Sequence, residues 1–283
     1  MSDRGDRNTV FGGGGGSSPI PARDVMKDDF GFEIPVEAIP LPSHGVVYPT
    51  DSALHGLETV DIRAMTAREE DILTSRALIK QGTVITHLIN SCLVNKDIDV
   101  RHMLVGDRNA LMISVRITGY GSDYRVRVSC AECGKDSSQD FDLSELGIKR
   151  LSISPVSPGQ NCFEYQLPVS KRIVCFKFLT GADEEDISAV NERKKQLMPD
   201  MLIENNVTSR LEYSIVSVDG IKDRSQISSF IRAMPAQDSR KLRKYIDDNE
   251  PGIDMRVNMS CPHCTKQSEV SLPFGTSFFW PRD

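Results

Sequence analysis

The chain has 283 residues, 39% of them hydrophobic and 26% charged, with a formal net charge of −6. That is enough apolar content for a buried core in one large domain or two ordinary ones. No stretch approaches the ~18 consecutive apolar residues of a membrane span. The acidic balance, with no long Lys/Arg run, lacks the electrostatic footprint of a nucleic-acid binder.

Residues 1–33 open polar and charged and include a glycine run at 12–16 followed by Ser-Ser-Pro19. Residues 1–10 hold no apolar leader core. Too little apolar surface is present to offset the entropy of ordering, so a flexible tail or tether is expected. The glycine run is no phosphate loop, because no strand precedes it and no Gly-Lys-Ser/Thr ending opens a helix. Order is expected from Ile34, first as an extended segment punctuated by Pro and Gly through Tyr48. Residues 60–65 alternate like a strand, and Thr66-Ala-Arg-Glu69 has the capping-box pattern that predicts a helix to about Lys80.

Gly82 breaks that helix. Val84, Ile85, Leu88, Ile89 and Cys92 then recur at helical spacing and predict a second one. Asp107 reads as the N-cap of a third, which carries Leu111, Ile113 and Val115 and ends at Gly119-Tyr-Gly121. Glu69-Glu-Asp71 and Asp183-Glu-Glu-Asp186 read as first-turn acids that complement a helix dipole rather than as catalytic carboxylates. Arg240-Lys-Leu-Arg-Lys244 reads as a solvated helical face.

The second half repeats the first. Tyr165-Gln-Leu-Pro168 matches Ile39-Pro-Leu-Pro42, and the helix start at Thr180 matches that at Thr66. Asp238, Leu242, Gly252 and Cys261 each stand 131 residues after Asp107, Leu111, Gly121 and Cys130. The offset is 123 at Leu88/Leu211 and 115 at Ile72/Ile187, which places added residues of the second copy largely at 193–206. The pattern predicts an α+β fold made by tandem duplication of one unit with a pseudo-two-fold arrangement. Residues 1–33 would be the tail, 34–150 the first repeat and 151–283 the second, with 151–161 as linker.

Each repeat carries a Cys-x-x-Cys knuckle, Cys130-Ala-Glu-Cys133 and Cys261-Pro-His-Cys264, that follows an alternating strand and leaves through Lys and Ser. A structural zinc takes four soft ligands at tetrahedral corners, and one knuckle supplies two of them. Cys130, Cys133, Cys261 and Cys264 are therefore predicted to share one Zn²⁺ as a structural clip. Alternatives are a disulfide in each knuckle, a redox pair, or three thiolates with His263. Redox Cys-x-x-Cys turns usually open a helix, whereas Lys135 and Lys266 lead into strand or loop. Cys92, Cys162 and Cys175 sit among apolar neighbours and read as small buried hydrophobes. No His-Glu-x-x-His pair, Gly-x-Ser-x-Gly elbow or phosphate loop occurs, so no enzyme is expected. At the C-terminus, Phe278, Phe279 and Trp280 read either as core over the knuckles or as an aromatic anchor for a partner.

Taken together, Leu41-Pro-Ser-x-Gly45, the Thr66-x-x-Glu-Glu start, Gly106-Asp-Arg-Asn-Ala-Leu111, Arg116-Ile-Thr-Gly-Tyr-Gly121, the two knuckles and Phe278-Phe-Trp-Pro281 resemble the T4-type bacteriophage baseplate hub subunit family. The resemblance covers residues 34–283. It implies a non-enzymatic virion component of a contractile tail, at the baseplate, made in the host cytoplasm. Its implied partners are other baseplate hub or wedge proteins and tape-measure or tail-tube proteins. The zinc expectation rests on the cysteines of this chain. A transient assembly factor that leaves before maturation, and a thiol oxidoreductase, are the competing readings.

Overall fold

The structure, a computed structural model, describes residues 25–27, 31, 33–197, 206–274 and 276–279. Residues 1–24, 28–30 and 32 of the tail expected at 1–33, most of the added segment at 193–206 and Trp280 lie outside the described residues. Strands β1 (Val25–Lys27), β2 (Glu33–Pro40) and β3 (Thr59–Arg63) form an antiparallel sheet in that order. Val60 and Ile62 point into the core while Thr59 and Asp61 face water, so the period of two sets the register, with Ile39 opposite Val60. Strand β1 falls inside the stretch expected to be tail.

The helix predicted from Thr66 is broken in two. Ser75 adopts an extended ψ of 105° and separates α1 (Ala67–Thr74) from α2 (Arg76–Gln81), which stops at Gly82 with φ 73°. Helix α3 (Val84–Cys92) buries the predicted face through Val84, Leu88, Ile89 and Cys92. Helix α4 (Val105–Tyr120) runs through the centre of the core and leads into the hairpin β4 (Asp123–Ser129) and β5 (Asp136–Asp142). A short β6 (Gly147–Lys149) follows.

The second half builds β7 (Phe163–Gln166) and β8 (Ile173–Phe176), then α5 (Gly181–Leu197), α6 (Asn206–Ser214), β9 (Ile215–Val218), α7 (Arg224–Ala233) and α8 (Ala236–Asn249). It closes with β10 (Gly252–Asp254), β11 (Arg256–Ser260) and β12 (Gln267–Ser271). Every strand pair is antiparallel. The fold of the described residues is α+β, with eight helices and five small sheets. One apolar cluster runs through both halves, from Ile39, Leu88 and Leu111 to Phe176, Leu211 and Leu242.

Positions paired by the sequence offsets make similar contacts. Tyr165 lies opposite Val174 as Ile39 lies opposite Val60. Asp107 is not a helix cap: it is the third residue of α4, fully buried, and accepts from the Ser43 amide (3.0 Å), the Ser43 hydroxyl (2.6 Å) and Tyr48 (2.5 Å). Burial pushes its carboxyl above the usual range, and those hydrogen bonds oppose the shift. Asp238 of α8 is also fully buried and accepts from the amides of Val169 (2.8 Å) and Ser170 (2.9 Å). Each aspartate thus fastens the loop that follows a buried Leu-Pro step, Leu41-Pro42 or Leu167-Pro168.

The acids at 69 and 183 are likewise more than dipole partners. Glu69 is fully buried, pairs with Arg63 at 2.7 Å, and accepts from the Thr66 amide (2.8 Å), the Thr66 hydroxyl (2.7 Å) and Ser91 (2.5 Å). Asp183 pairs with Lys177 at 2.8 Å and accepts from the Thr180 amide and hydroxyl, both at 2.9 Å. The capping residues align at an offset of 114, which pairs Ile187 with Leu73 rather than with Ile72; Leu73 and Ile187 are both buried. Burial pushes the Glu69 carboxyl up, but the hydrogen bonds from Arg63, Ser91 and Thr66 outweigh it and hold the group at about 2.

A carboxyl lowered in the folded state stabilises the fold above its unfolded value near 4.5, and that stabilisation is lost as pH falls through about 2. Glu69→Gln is therefore expected to cost about 3 kcal/mol at pH 7, with a deficit that shrinks as pH falls below 4, read by denaturant unfolding at each pH.

One further sequence expectation needs correction, and one pair of alternatives is narrowed to the core reading. Cys162 and Cys175 are joined as a disulfide, with Cα atoms 6.1 Å apart, because the end of the 151–161 segment lies beside β8; only Cys92 is the free, buried thiol expected. Phe278 and Phe279 are fully buried, so they offer a partner no free face. Phe278 packs on Tyr124 and Phe274, each at a ring separation of 5.0 Å, and its carbonyl accepts from the buried Arg116 at 3.3 Å. Removing this ring empties a site walled by other aromatics, so Phe278→Ala should cost about 3–5 kcal/mol in denaturant unfolding.

Candidate metal centre

The two knuckles are built alike. In the first, the Cys130 amide donates to the Lys135 carbonyl (3.0 Å) and the Gly134 amide to the Cys130 carbonyl (2.9 Å). In the second, the Cys261 amide donates to the Lys266 carbonyl (3.0 Å) and the Thr265 amide to the Cys261 carbonyl (2.9 Å). Closing so tight a turn requires a left-handed residue after the second cysteine. Gly134 takes φ 70° at no cost, and Thr265 takes φ 58° against its preference. Strands β4 and β11 deliver the turns, and β5 and β12 carry the chain away, as expected from the polar residues after each Lys.

All four sulfurs converge. Their Sγ atoms lie within 4.8 Å of one another, with Cys130 to Cys264 at 3.8 Å and Cys133 to Cys261 at 3.7 Å. A tetrahedron with Zn–S bonds of about 2.3 Å has edges of about 3.8 Å, so the cross-knuckle distances match a shared tetrathiolate site. They are far beyond the ~2.05 Å of a disulfide bond, and the knuckle cysteines are free thiols. His263 stands apart from the sulfur cluster, its Nε2 3.3 Å from the Asp136 carbonyl. Lys266 crosses between the knuckles to Glu132 at 2.8 Å.

The thiol chemistry suits a cation. The Cys133 backbone amide, foremost among its neighbours, pulls the Cys130 thiol down to about 6. The Lys266 amide favours a thiolate at Cys264 too, but desolvation and the surrounding sulfurs push that thiol up to about 11. One thiolate forms readily and the next is resisted, so a divalent cation held between the sulfurs would favour the ionised cluster. Cys130 and Cys261 are buried, Cys264 is half-buried and Cys133 exposed, so the centre lies at the surface with one side sealed.

What the centre joins is also visible. Short β6 pairs with β10, with Ile148 opposite Ile253. Gly106, at the start of α4, lies under Pro251, where any Cβ would overlap the Pro251 carbonyl. Arg108, nearly buried, donates to Thr86 (2.9 Å), Thr86 donates to Glu185 (2.5 Å), and Arg101 donates to the same carboxylate (3.0 Å). Gly181 leaves room for that guanidinium. None of these long-range partners carries a local sequence signal; the repeated Asp107/Asp238 pair did, but its local reading was a cap.

The family model described as T4 bacteriophage base plate protein matches residues 46–280, most of the chain and both knuckles. The chain belongs to that family. This baseplate protein is thereby a component of a phage tail that assembles with other tail proteins. Neither the curated proteins nor the solved structures gave a match. Among the described residues of the baseplate protein, no helix is long and apolar enough to cross a membrane.

Proposed function

We propose that this baseplate protein is a non-enzymatic scaffold of the hub region, a duplicated α+β unit whose two copies are bolted together by one structural zinc. The convergence of four sulfurs from knuckles 131 residues apart is the observation that carries the reading. The matched strand registers, the buried Asp107 and Asp238, and the ion pairs Arg63–Glu69 and Lys177–Asp183 support duplication about a pseudo-two-fold, with repeats at 34–150 and 151–283. Four protein ligands leave zinc no open position for substrate, so its chemistry is structural.

The neighbours in this reading are other hub or wedge proteins and the tape-measure or tube proteins they meet. Quantitative mass spectrometry of purified virions tests it: the chain should be present at a fixed stoichiometry to other baseplate proteins. Its presence in infected-cell lysate and hub precursors but absence from finished particles would replace this reading with that of a transient assembly factor.

A further inference from the structure

The segments 136–149 and 252–260 run antiparallel and are held at both ends. Strands β6 and β10 zip them at one end, with Gly147 opposite Asp254, and the four sulfurs gather them at the other. Between these ends the segments part. Strand β5 pairs with β4 and β11 with β12, and among the described residues neither has a ladder partner on its other edge. A cleft of about 1120 Å³ separates them, lined by residues of β5, the β5–β6 connection and β11 and closed at one end by residues of β6 and β10, with none from β4 or β12.

The cleft has a distinct chemistry. Phe141 and Val257 are half-buried along it, beside the buried Leu146 and Met259. Alternate backbone N–H and C=O groups of a strand edge point outward and call for partners. The rim is acidic. Arg256 is held by Asp254 at 2.8 and 2.9 Å and Asp140 by Arg125 at 2.8 and 3.0 Å, while Arg150, 2.7 Å from the His44 ring, stays a cation facing two carboxylates. Asp142 and Glu145 remain as an acidic surplus at one end.

We propose that this cleft receives an extended segment of a neighbouring tail protein as an added β-strand between β5 and β11, with basic residues against Asp142 and Glu145. Main-chain pairing would supply affinity, and alternate apolar side chains would cover Phe141 and Val257. The proposal deepens the scaffold reading and rests on it, by naming the surface through which the scaffold takes a partner.

Hydrogen–deuterium exchange on the full chain tests this with a peptide of about ten residues alternating Lys and Val, the length of a long strand. The same peptide with every second amide N-methylated is the control, since it keeps charge and loses backbone pairing. The unmodified peptide should slow exchange in 137–142 and 256–260, and the methylated one should bind about tenfold more weakly, a difference of about 1.4 kcal/mol, without that protection. Glu145→Lys should weaken binding about fivefold or more while leaving the melting temperature unchanged.

Equal binding of both peptides would mean charge attraction alone and would overturn the proposal, as would protection elsewhere or none. Protection of both strands in the protein alone would assign the cleft to its own N-terminal residues, or to a second copy if it rises with concentration; either result also overturns it. Failure here leaves zinc content and virion stoichiometry untouched, so it is distinguishable from failure of the scaffold reading.

Discussion

Cys261→Ser protein should emerge from purification without its metal and melt at least about 10 °C below the wild type, since each kcal/mol is worth a few degrees in a chain of this size. The reason lies in what the knuckles hold. Cys261 is buried and sits 3.7 Å from Cys133, so its loss removes one corner of the tetrahedron and leaves three sulfurs that repel one another once ionised. Structural zinc contributes on the order of 10 kcal/mol to the folding of isolated fingers. A larger core dilutes the consequence here without cancelling it. His263→Ala is the matched control, because its ring contacts the Asp136 carbonyl outside the sulfur cluster, and it should keep zinc and stability. Elemental analysis and calorimetry on both variants read the outcome. Cysteine variants that keep one zinc, or a His263 variant that loses it, would reassign the ligands.

Gly106→Ala should be nearly as damaging, although helix propensity alone would favour the alanine by about 1 kcal/mol. The added methyl meets the Pro251 carbonyl and sits against Gly252, and backbone cannot rotate aside as a side-chain tip can. Overpacking of this kind costs typically 1–3 kcal/mol and more against rigid backbone, so a net loss of about 2 kcal/mol or greater is expected. The displaced segment leads directly into β10, which pairs with β6 and continues toward the second knuckle. Zinc should therefore pass more easily to a competing chelator as well. Gly147→Ala, where nothing lies within 4 Å of an added methyl, should leave both denaturant midpoint and zinc retention close to wild type. A Gly106 variant as stable as wild type would mean that α4 and the Pro251 segment are not packed as described.

Local chemistry explains which parts were readable from residues alone. A Cys-x-x-Cys knuckle is short, so its turn, strand approach and polar exit all fall within about ten residues of sequence. Helix α3 and strand β3 announce themselves by period. Asp107 and Asp238 were legible as a repeated pair, yet their partners Ser43, Tyr48, Val169 and Ser170 lie more than fifty residues away, and the nearest local explanation, a helix cap, was the wrong one. Glu69 was legible as the capping-box partner of Thr66, but its Arg63 and Ser91 partners, from a strand before and a helix after it, were not. The Cys162–Cys175 disulfide, the β6·β10 ribbon and the buried Arg116 with its carbonyl partners depend wholly on tertiary placement. Aromatic residues at 278 and 279 gave two readings, and burial decides for the core.

Zinc K-edge X-ray absorption, combined with metal quantitation on protein purified without chelator, tests the central claim most directly. One zinc per chain with four sulfur neighbours at about 2.3 Å is the predicted result. No zinc, two zincs per chain, or a first shell containing nitrogen or oxygen would contradict a single tetrathiolate bolt between the two halves.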